Sequence, residues 1–359
     1  MKKKLLSLML VTCLIMGSML GCSKQESKES STGNGAGNTQ TDKNSDNGTA
    51  PDKVYTMQIG HSQPTDNPRH VSLEAFKKLV EEKTNGGIVV EIYPAGQLGT
   101  EKEILEQTCS GVIQGMRGGQ FDFTPKLLIF TLPFLCETPE EVDRLLSSDF
   151  AKEVCKESQK DGAIILGLGD AGGFRNISNN SKIIHKPEDL KGLKMRTPGM
   201  DTIKRTMETL GASTVSVPYN DLYMGLKTGV ADGQENPWVN VSTMKFYEVQ
   251  KYFTEINYQF HPDPFYVNLE WFNSLPKDYQ DILEECTEEM MQINNQTIAD
   301  NQSAALEIIK ANAEVYTLTA EERQVFKDAV NVVYDDYVSE GLITQEELDT
   351  MRAIVAGSN

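Results

Sequence analysis

The stretch from Leu190 to Trp238 constrains the fold more than any other part of the chain. It reads as a basic strand, a helix, a short strand, a second helix and a Gly-rich return, which is the pattern of an open α/β sheet. Arg196 stands where the first of these strands stops, followed by Thr197, Pro198 and Gly199. Ligands of open α/β sheets bind in the crevice outside the strand ends, so an arginine at that position is a candidate partner for a carboxylate.

The flanking sequence repeats the alternation. Val54 to Gly60 alternates as a strand, and Asn67-Pro68 starts a helix that would carry Val71, Ala75, Phe76, Leu79 and Val80 on one face. Ile88 to Tyr93 is the next strand, Gly99 to Cys109 opens and closes a further helix, and Thr138-Pro139-Glu140-Glu141 has the form of a capping box, predicting a helix to about Lys160. Ala163 to Leu168 reads as a buried strand. These spacings argue for β-α-β units and a mainly parallel sheet. Tyr252 to Phe260 and Phe265 to Leu269 are extended segments linked by His261-Pro262-Asp263-Pro264, Pro276 starts a long helix to about Ala313, and Thr319 and Thr344 each open another helix. A chain that builds one unit, crosses to a second and returns suggests two lobes with a cleft between them.

The first residues stand apart from this pattern. Lys2, Lys3 and Lys4 precede an apolar run that ends at Met19-Leu20-Gly21-Cys22, which resembles a bacterial lipoprotein signal with Cys22 as the lipidated residue. Residues 1–21 are therefore expected to be a signal peptide, and residues 22–53 a flexible tether, since Ser23 to Asp52 has scarcely an apolar side chain. The folded part would then sit outside the cytoplasmic membrane, attached to it by lipid.

Composition excludes several functions. A formal net charge of -18 leaves no lysine and arginine field for nucleic acid. Gly167-Leu168-Gly169-Asp170-Ala171-Gly172 matches GxGxxG, but the turn-rich residues after it give no helix N-terminus for a pyrophosphate. The four histidines, His61, His70, His185 and His261, are scattered singly and read as surface or loop residues. Neither a metal nor a cofactor is expected, and no nucleophile or acid–base pair has the spacing of an enzyme. Cys109, Cys136, Cys155 and Cys286 fit free thiols and disulfides equally. The more specific constellation is Arg175 and Arg196 at strand margins, with Asn236 as a neutral donor and Tyr219 placed to pack against a carbon skeleton.

Asp189-Leu190-Lys191-Gly192-Leu193-Lys194-Met195-Arg196 and Leu226-Lys227-Thr228-Gly229-Val230-Ala231-Asp232-Gly233-Gln234-Glu235-Asn236-Pro237 resemble the solute-binding subunits of tripartite ATP-independent periplasmic (TRAP) transporters, of the C4-dicarboxylate- and sialic-acid-binding type. Leu98-Gly99 with Glu101 and Glu103, Leu132-Pro133-Phe134, and Trp271 ahead of Leu275-Pro276 fit the same pattern in the same order. The resemblance implies a two-lobed, hinged α/β fold with mixed sheets and a long helix spanning both lobes. Residues 54–172 with about 257–302 would form one lobe, and 173–256 with about 303–359 the other. It further implies an organic acid, a sugar acid or a dicarboxylate, held in the cleft by Arg196, assisted by Arg175 and Asn236, with Tyr219 lining the pocket and His61 or Ser62 contributed by the first lobe. The partners implied are TRAP permease subunits, and a monomer is expected. Presentation of the acid to a membrane signalling protein is an alternative use of the same cleft. The segment between Gly118 and Leu132 is shorter than in the family, which makes Arg117 and Gln120 candidates for the distal end of the ligand.

Overall fold

The computed structural model describes residues 53–358. The leader, Cys22 and the tether as far as residue 52 lie outside them. The strands are β1 (Tyr55–Gly60), β2 (Ile88–Tyr93), β3 (Gly115–Arg117), β4 (Ala163–Asp170), β5 (Arg175–Asn179), β6 (Lys194–Thr197), β7 (Ser213–Ser216), β8 (Gly233–Asn236), β9 (Tyr252–Gln259), β10 (Pro262–Asn268) and β11 (Glu314–Thr317). The helices are α1 (Pro68–Lys83), α2 (Glu101–Cys109), α3 (Pro139–Ser147), α4 (Asp149–Cys155), α5 (Asp201–Thr209), α6 (Leu222–Lys227), α7 (Trp238–Thr243), α8 (Leu269–Ser274), α9 (Lys277–Asn312), α10 (Ala320–Ser339) and α11 (Gln345–Val355).

Local chemistry explains most of the boundaries. The Asn67 side chain accepts a hydrogen bond from the Arg69 backbone N–H, and Pro68 occupies the first turn of α1, where its missing N–H has no intrahelical partner to lose. Reciprocal Thr and Glu capping boxes open α2, α3, α10 and α11. The helix expected to run unbroken to about Lys160 stops at Ser147, because extended Ser148 accepts from the Ala151 N–H and caps α4 instead. On α1 the buried face comprises Arg69, Ser72, Leu73, Phe76 and Val80, whereas Val71, expected in that face, is exposed.

Two sheets result, with orders β2-β1-β3-β10-β4 and β11-β9-β5-β8-β6-β7. Both are mixed rather than mainly parallel. β10 runs antiparallel to β3 and β4, and β5 runs antiparallel to β8 and β9. The reason is the path between the lobes. The chain leaves the first sheet through Ala171–Phe174 into the second and returns through Phe260–His261, so two oppositely directed strands traverse both sheets side by side. Gly172 and Gly173 take φ of 137° and 98° in the first crossing, a region open to glycine and strained for other residues.

α9 is the third connection. Its 36 residues span roughly 54 Å at 1.5 Å per residue and pack against α1 and β4 of the first lobe and α7 of the second. Met290 and Leu283 join Phe76, Ile59 and Phe265 in the first core, while Ile309 and Ala305 join Trp238 and Phe253 in the second. Pro125–Thr131 packs on α5, and α3 on α11. Cys109, Cys136, Cys155 and Cys286 are free thiols.

The crossing also explains a bulge. Pairing between β5 and β9 shifts register between Arg175 and Ile177, and the Asn176 Oδ1 accepts from the backbone N–H of both Ile256 and Asn257 at 2.9 Å. Replacing Asn176 by Ala removes the acceptor and leaves these donors inside the crossing without a partner, a loss of about 1–3 kcal/mol. Urea unfolding is expected to show a lower midpoint with an unchanged slope, and an unaltered midpoint would show that the bulge is held by other contacts.

Candidate ligand-binding cleft

A cavity of about 340 Å³ lies where strand ends and helix starts of the two lobes face each other. The first lobe and its crossing contribute Gln63, Arg69, Glu101, Gly119, Gln120 and His261, and the second contributes Arg175, Arg196, Tyr219 and Asn236. A larger cavity of about 1070 Å³, lined by α3, β4 and α9, has Arg144 and Lys152 as its basic groups, both exposed. Buried cations therefore distinguish the smaller cavity.

Three guanidiniums line it, in different electrostatic states. Arg69 lies 2.9 Å from Glu101 and 2.9 Å from Asp263. Arg175 clasps Glu235 through Nε and a terminal nitrogen, the latter at 2.8 Å, and also donates to the Asn236 side-chain oxygen at 3.3 Å. Burial disfavours its charge, but Glu235 outweighs this and holds the Arg175 pKa above its ordinary value. Arg196 differs from both. Its Nε donates to the Val217 carbonyl at 2.9 Å, and its guanidinium lies 5.9 Å from the centre of the Tyr219 ring, with no ion pair among the described residues. Burial pulls its pKa down to about 10, so it remains charged at neutral pH.

The sequence-predicted residues divide accordingly. Arg175, Arg196, Tyr219, Asn236 and Gln120 all line the cavity. Arg117 does not: it is fully buried behind the wall, 3.0 Å from Asp263, and donates to the Ser72 hydroxyl at 2.6 Å. Its expected place at the distal end of a ligand is thus corrected, because β10 brings a buried carboxylate to it and turns it into the interior. The expected places of Ser62 and His61 are corrected in the same way. The Ser62 hydroxyl donates to Glu101 at 2.5 Å, and the His61 ring lies 3.1 Å from the His70 ring and accepts from the Gln63 N–H, so both support the wall from behind. The histidines are not uniformly surface residues either. His61 and His261 are buried, whereas His185 is exposed.

Sequence reasoning missed Arg69, Gln63, Glu101 and His261. Arg69 and Glu101 sit in the first turns of α1 and α2, immediately after capping residues that were legible, so helix starts carried the same signal as strand ends. His261 carried none on its own.

The profile of the bacterial extracellular solute-binding proteins, family 7, matches residues 59–340. The chain belongs to this family. It is similar to the C4-dicarboxylate-binding periplasmic protein DctP of Vibrio cholerae, with 32% identity over 289 residues, covering 78% of this chain and 86% of the relative. A TRAP periplasmic solute-binding protein of Desulfovibrio salexigens, solved with bound orotic acid, superposes with a TM-score of 0.80 at 30% identity, covering 85% of this chain and all of that one. The sugar acid binding protein DctPAm of Advenella mimigardefordensis, in complex with galactonate, superposes with a TM-score of 0.81 at 25% identity, covering 86% and 99%. Family 7 members are extracytoplasmic solute-binding proteins rather than enzymes.

In this solute-binding protein two cleft-side histidines are held neutral. Burial is the main cause for both, reinforced by Arg69 next to His61 and by Arg175, Arg69 and Arg196 around His261, and both pKa values fall well below the usual range. A histidine whose folded pKa is depressed contributes stability that is complete above its unfolded pKa, about 6.5, and that is lost as the pH falls from there through the folded value. The unfolding free energy from urea titrations is expected to drop between pH 7 and 5, by up to about 1.4 kcal/mol per pH unit for each histidine. A His261→Gln variant should show a shallower pH dependence. An identical slope in the variant would mean that His261 takes up a proton in the fold as easily as in the unfolded chain.

Proposed function

We propose that this protein captures an organic acid by its carboxylate in the cleft and delivers it to a TRAP-type membrane permease. The observation that carries the reading is Arg196, a buried guanidinium whose terminal nitrogens have no carboxylate partner while its neighbours Arg69 and Arg175 both do. Its planar pair of donors suits one carboxylate in a bidentate arrangement. Arg175 and Asn236 lie alongside, Tyr219 offers its ring to the carbon skeleton, and Gln120 meets the ligand from the first lobe. The relatives that bind C4-dicarboxylates, orotic acid and galactonate support an acid as ligand.

Closure follows from the same geometry. The lobes touch where Asn67 donates to the Asn240 side-chain oxygen at 3.0 Å and Asn220 approaches the Gly99 carbonyl at 3.4 Å. An acid that meets both walls favours this closed arrangement over an open one, a population shift about the crossing segments Ala171–Phe174 and Phe260–His261. The lobes would be residues 54–172 with about 257–302, and 173–256 with about 303–359, and the permease would recognise their closed faces. Lipid on Cys22 would keep the protein at the membrane surface outside the cytoplasm.

Removing a buried, charge-assisted partner of the ligand costs about 2–5 kcal/mol, so Arg196→Ala is expected to weaken binding of the acid by about 30-fold to several thousand-fold while circular dichroism is unchanged. Calorimetry that gives the same affinity for both proteins would overturn the assignment. Cys22→Ser should move the protein from the membrane fraction to the soluble fraction of its host, and retention on the membrane would refute the lipid anchor.

A further inference from the structure

The cleft wall contributed by the first lobe does not complement a second carboxylate. Arg69 is already engaged by Asp263 and Glu101, and Glu101 itself faces the cavity. Gln120 and Asp122 continue this wall, and its remaining cation, Lys102, is exposed and stands 3.9 Å from Asp122. A ligand with carboxylates at both ends would have to place one of them beside Glu101 and Asp122, or displace Glu101 from Arg69. Like charges in a site that excludes water repel strongly.

What this cavity offers instead is a set of neutral, buried polar atoms without partners. Among the described residues, Gln63 Oε1, the Tyr219 hydroxyl and both ring nitrogens of His261 are buried without a hydrogen bond of normal geometry, although the Gly119 backbone lies near enough to the His261 ring to interact with it, and all three residues line the cavity. Gln63 is 3% exposed and His261 4%. The Gln63 side chain lies near enough to the Tyr219 hydroxyl to interact with it, yet no bond of normal geometry joins them. Buried polar groups of this kind are ordinarily satisfied, so a cluster on one wall calls for a ligand that satisfies it.

The donor and acceptor balance identifies that ligand. Gln63 Oε1 and Glu101 accept only, and a carboxylate, which also accepts only, cannot satisfy them. A neutral imidazole presents one donor and one acceptor, which a hydroxyl matches on both counts. Burial and the surrounding guanidiniums of Arg175, Arg69 and Arg196 keep His261 in that neutral form. Gly119 makes the approach to the ring possible, since a Cβ there would lie 2.7 Å from His261 Nε2.

We propose that the cleft selects a polyhydroxylated monocarboxylate over a dicarboxylate, with His261, Gln63 and Tyr219 reading the hydroxyl groups of an acid whose carboxylate is on Arg196. This rests on the carboxylate-capture reading above. No role beyond a loop position was legible for His261 in the sequence, and here it is the residue that determines specificity.

The test is calorimetry on the purified full chain with acids matched in length: erythronate against succinate, and gluconate against adipate. A site built to hydrogen-bond hydroxyls rejects analogues lacking them by large factors, so each hydroxy acid is expected to bind at least about 100-fold tighter than its dicarboxylate counterpart. His261→Phe is expected to weaken the hydroxy acids by about tenfold or more and to leave the dicarboxylates within about threefold. Gly119→Ala, which crowds the ring without changing its chemistry, should act in the same direction and serves as the second variant should His261→Phe fail to fold. Dicarboxylates that bind as tightly as the hydroxy acids, or variants that weaken both classes equally, would overturn the proposal while leaving carboxylate capture intact. If none of the four acids binds, carboxylate capture itself falls, and this proposal with it.

Discussion

Asp263 is fully buried, lies within 3.0 Å of both Arg69 and Arg117, and stands on the strand that returns from one lobe to the other. Its carboxylate ties the start of α1 and the end of β3 to β10, and those are the elements that form the first wall of the cleft. Two guanidiniums around one carboxylate leave a local excess of charge, which Glu101 offsets for Arg69. For Arg117, burial pulls the pKa down to about 10, and Asp263 and Asp170 act against that fall. An ion cluster of this depth contributes little net stability compared with an apolar core, because desolvation cancels most of the attraction. Its effect is positional: loss of one member leaves the others buried and unpaired, so the wall has one arrangement rather than several.

The same crossing strands that join the lobes also carry residues that line the cavity. Arg175 opens β5 at the end of the outward crossing, and His261 precedes β10 on the return. A hinge rotation therefore moves Arg175, on the second lobe, relative to His261, on the first, so the gap between them depends on the angle between the lobes. Glu235 holds Arg175 from within the second lobe, helped by the Tyr258 hydroxyl, which donates to it at 2.7 Å. Arg175 is thus fixed to one lobe, whereas Arg196 is held only through Nε, and its terminal nitrogens have no carboxylate partner among the described residues.

Much of the fold was legible because its signals are local. Asn67-Pro68, Thr138-Pro139 and Pro276 announce helix starts through capping and fixed φ, and the structure begins helices there. Arg196 and Arg175 were legible as residues at strand margins, and Asn236 as a neutral donor in the turn before Pro237. Arg117 was misjudged because its partner, Asp263, is supplied by a strand nearly 150 residues later, and no spacing within the sequence announces that pairing. His261 was missed because a lone histidine next to two prolines carries no pattern, and its environment is created by arginines from three other segments. Val71 shows the limit of periodicity: the helix face turned inward at Arg69 and Ser72, because buried polar partners on β10, α2 and β3 of the same lobe outweighed one valine's apolar surface.

The chain carries a formal net charge of -18 and yet presents buried guanidiniums to an anion. Beyond the Debye length, about 8 Å at physiological ionic strength, that surface charge is largely screened and can neither attract nor strongly repel a small acid. Inside the cleft screening is weaker, so a charge placed beside the buried guanidiniums would interact with them more strongly than at the surface. Binding energy for an anion here would therefore come from short-range, desolvated contacts rather than from the field of the surface. The acidic surface is thus compatible with an anion site because the buried guanidiniums, and not the net charge, set the local field.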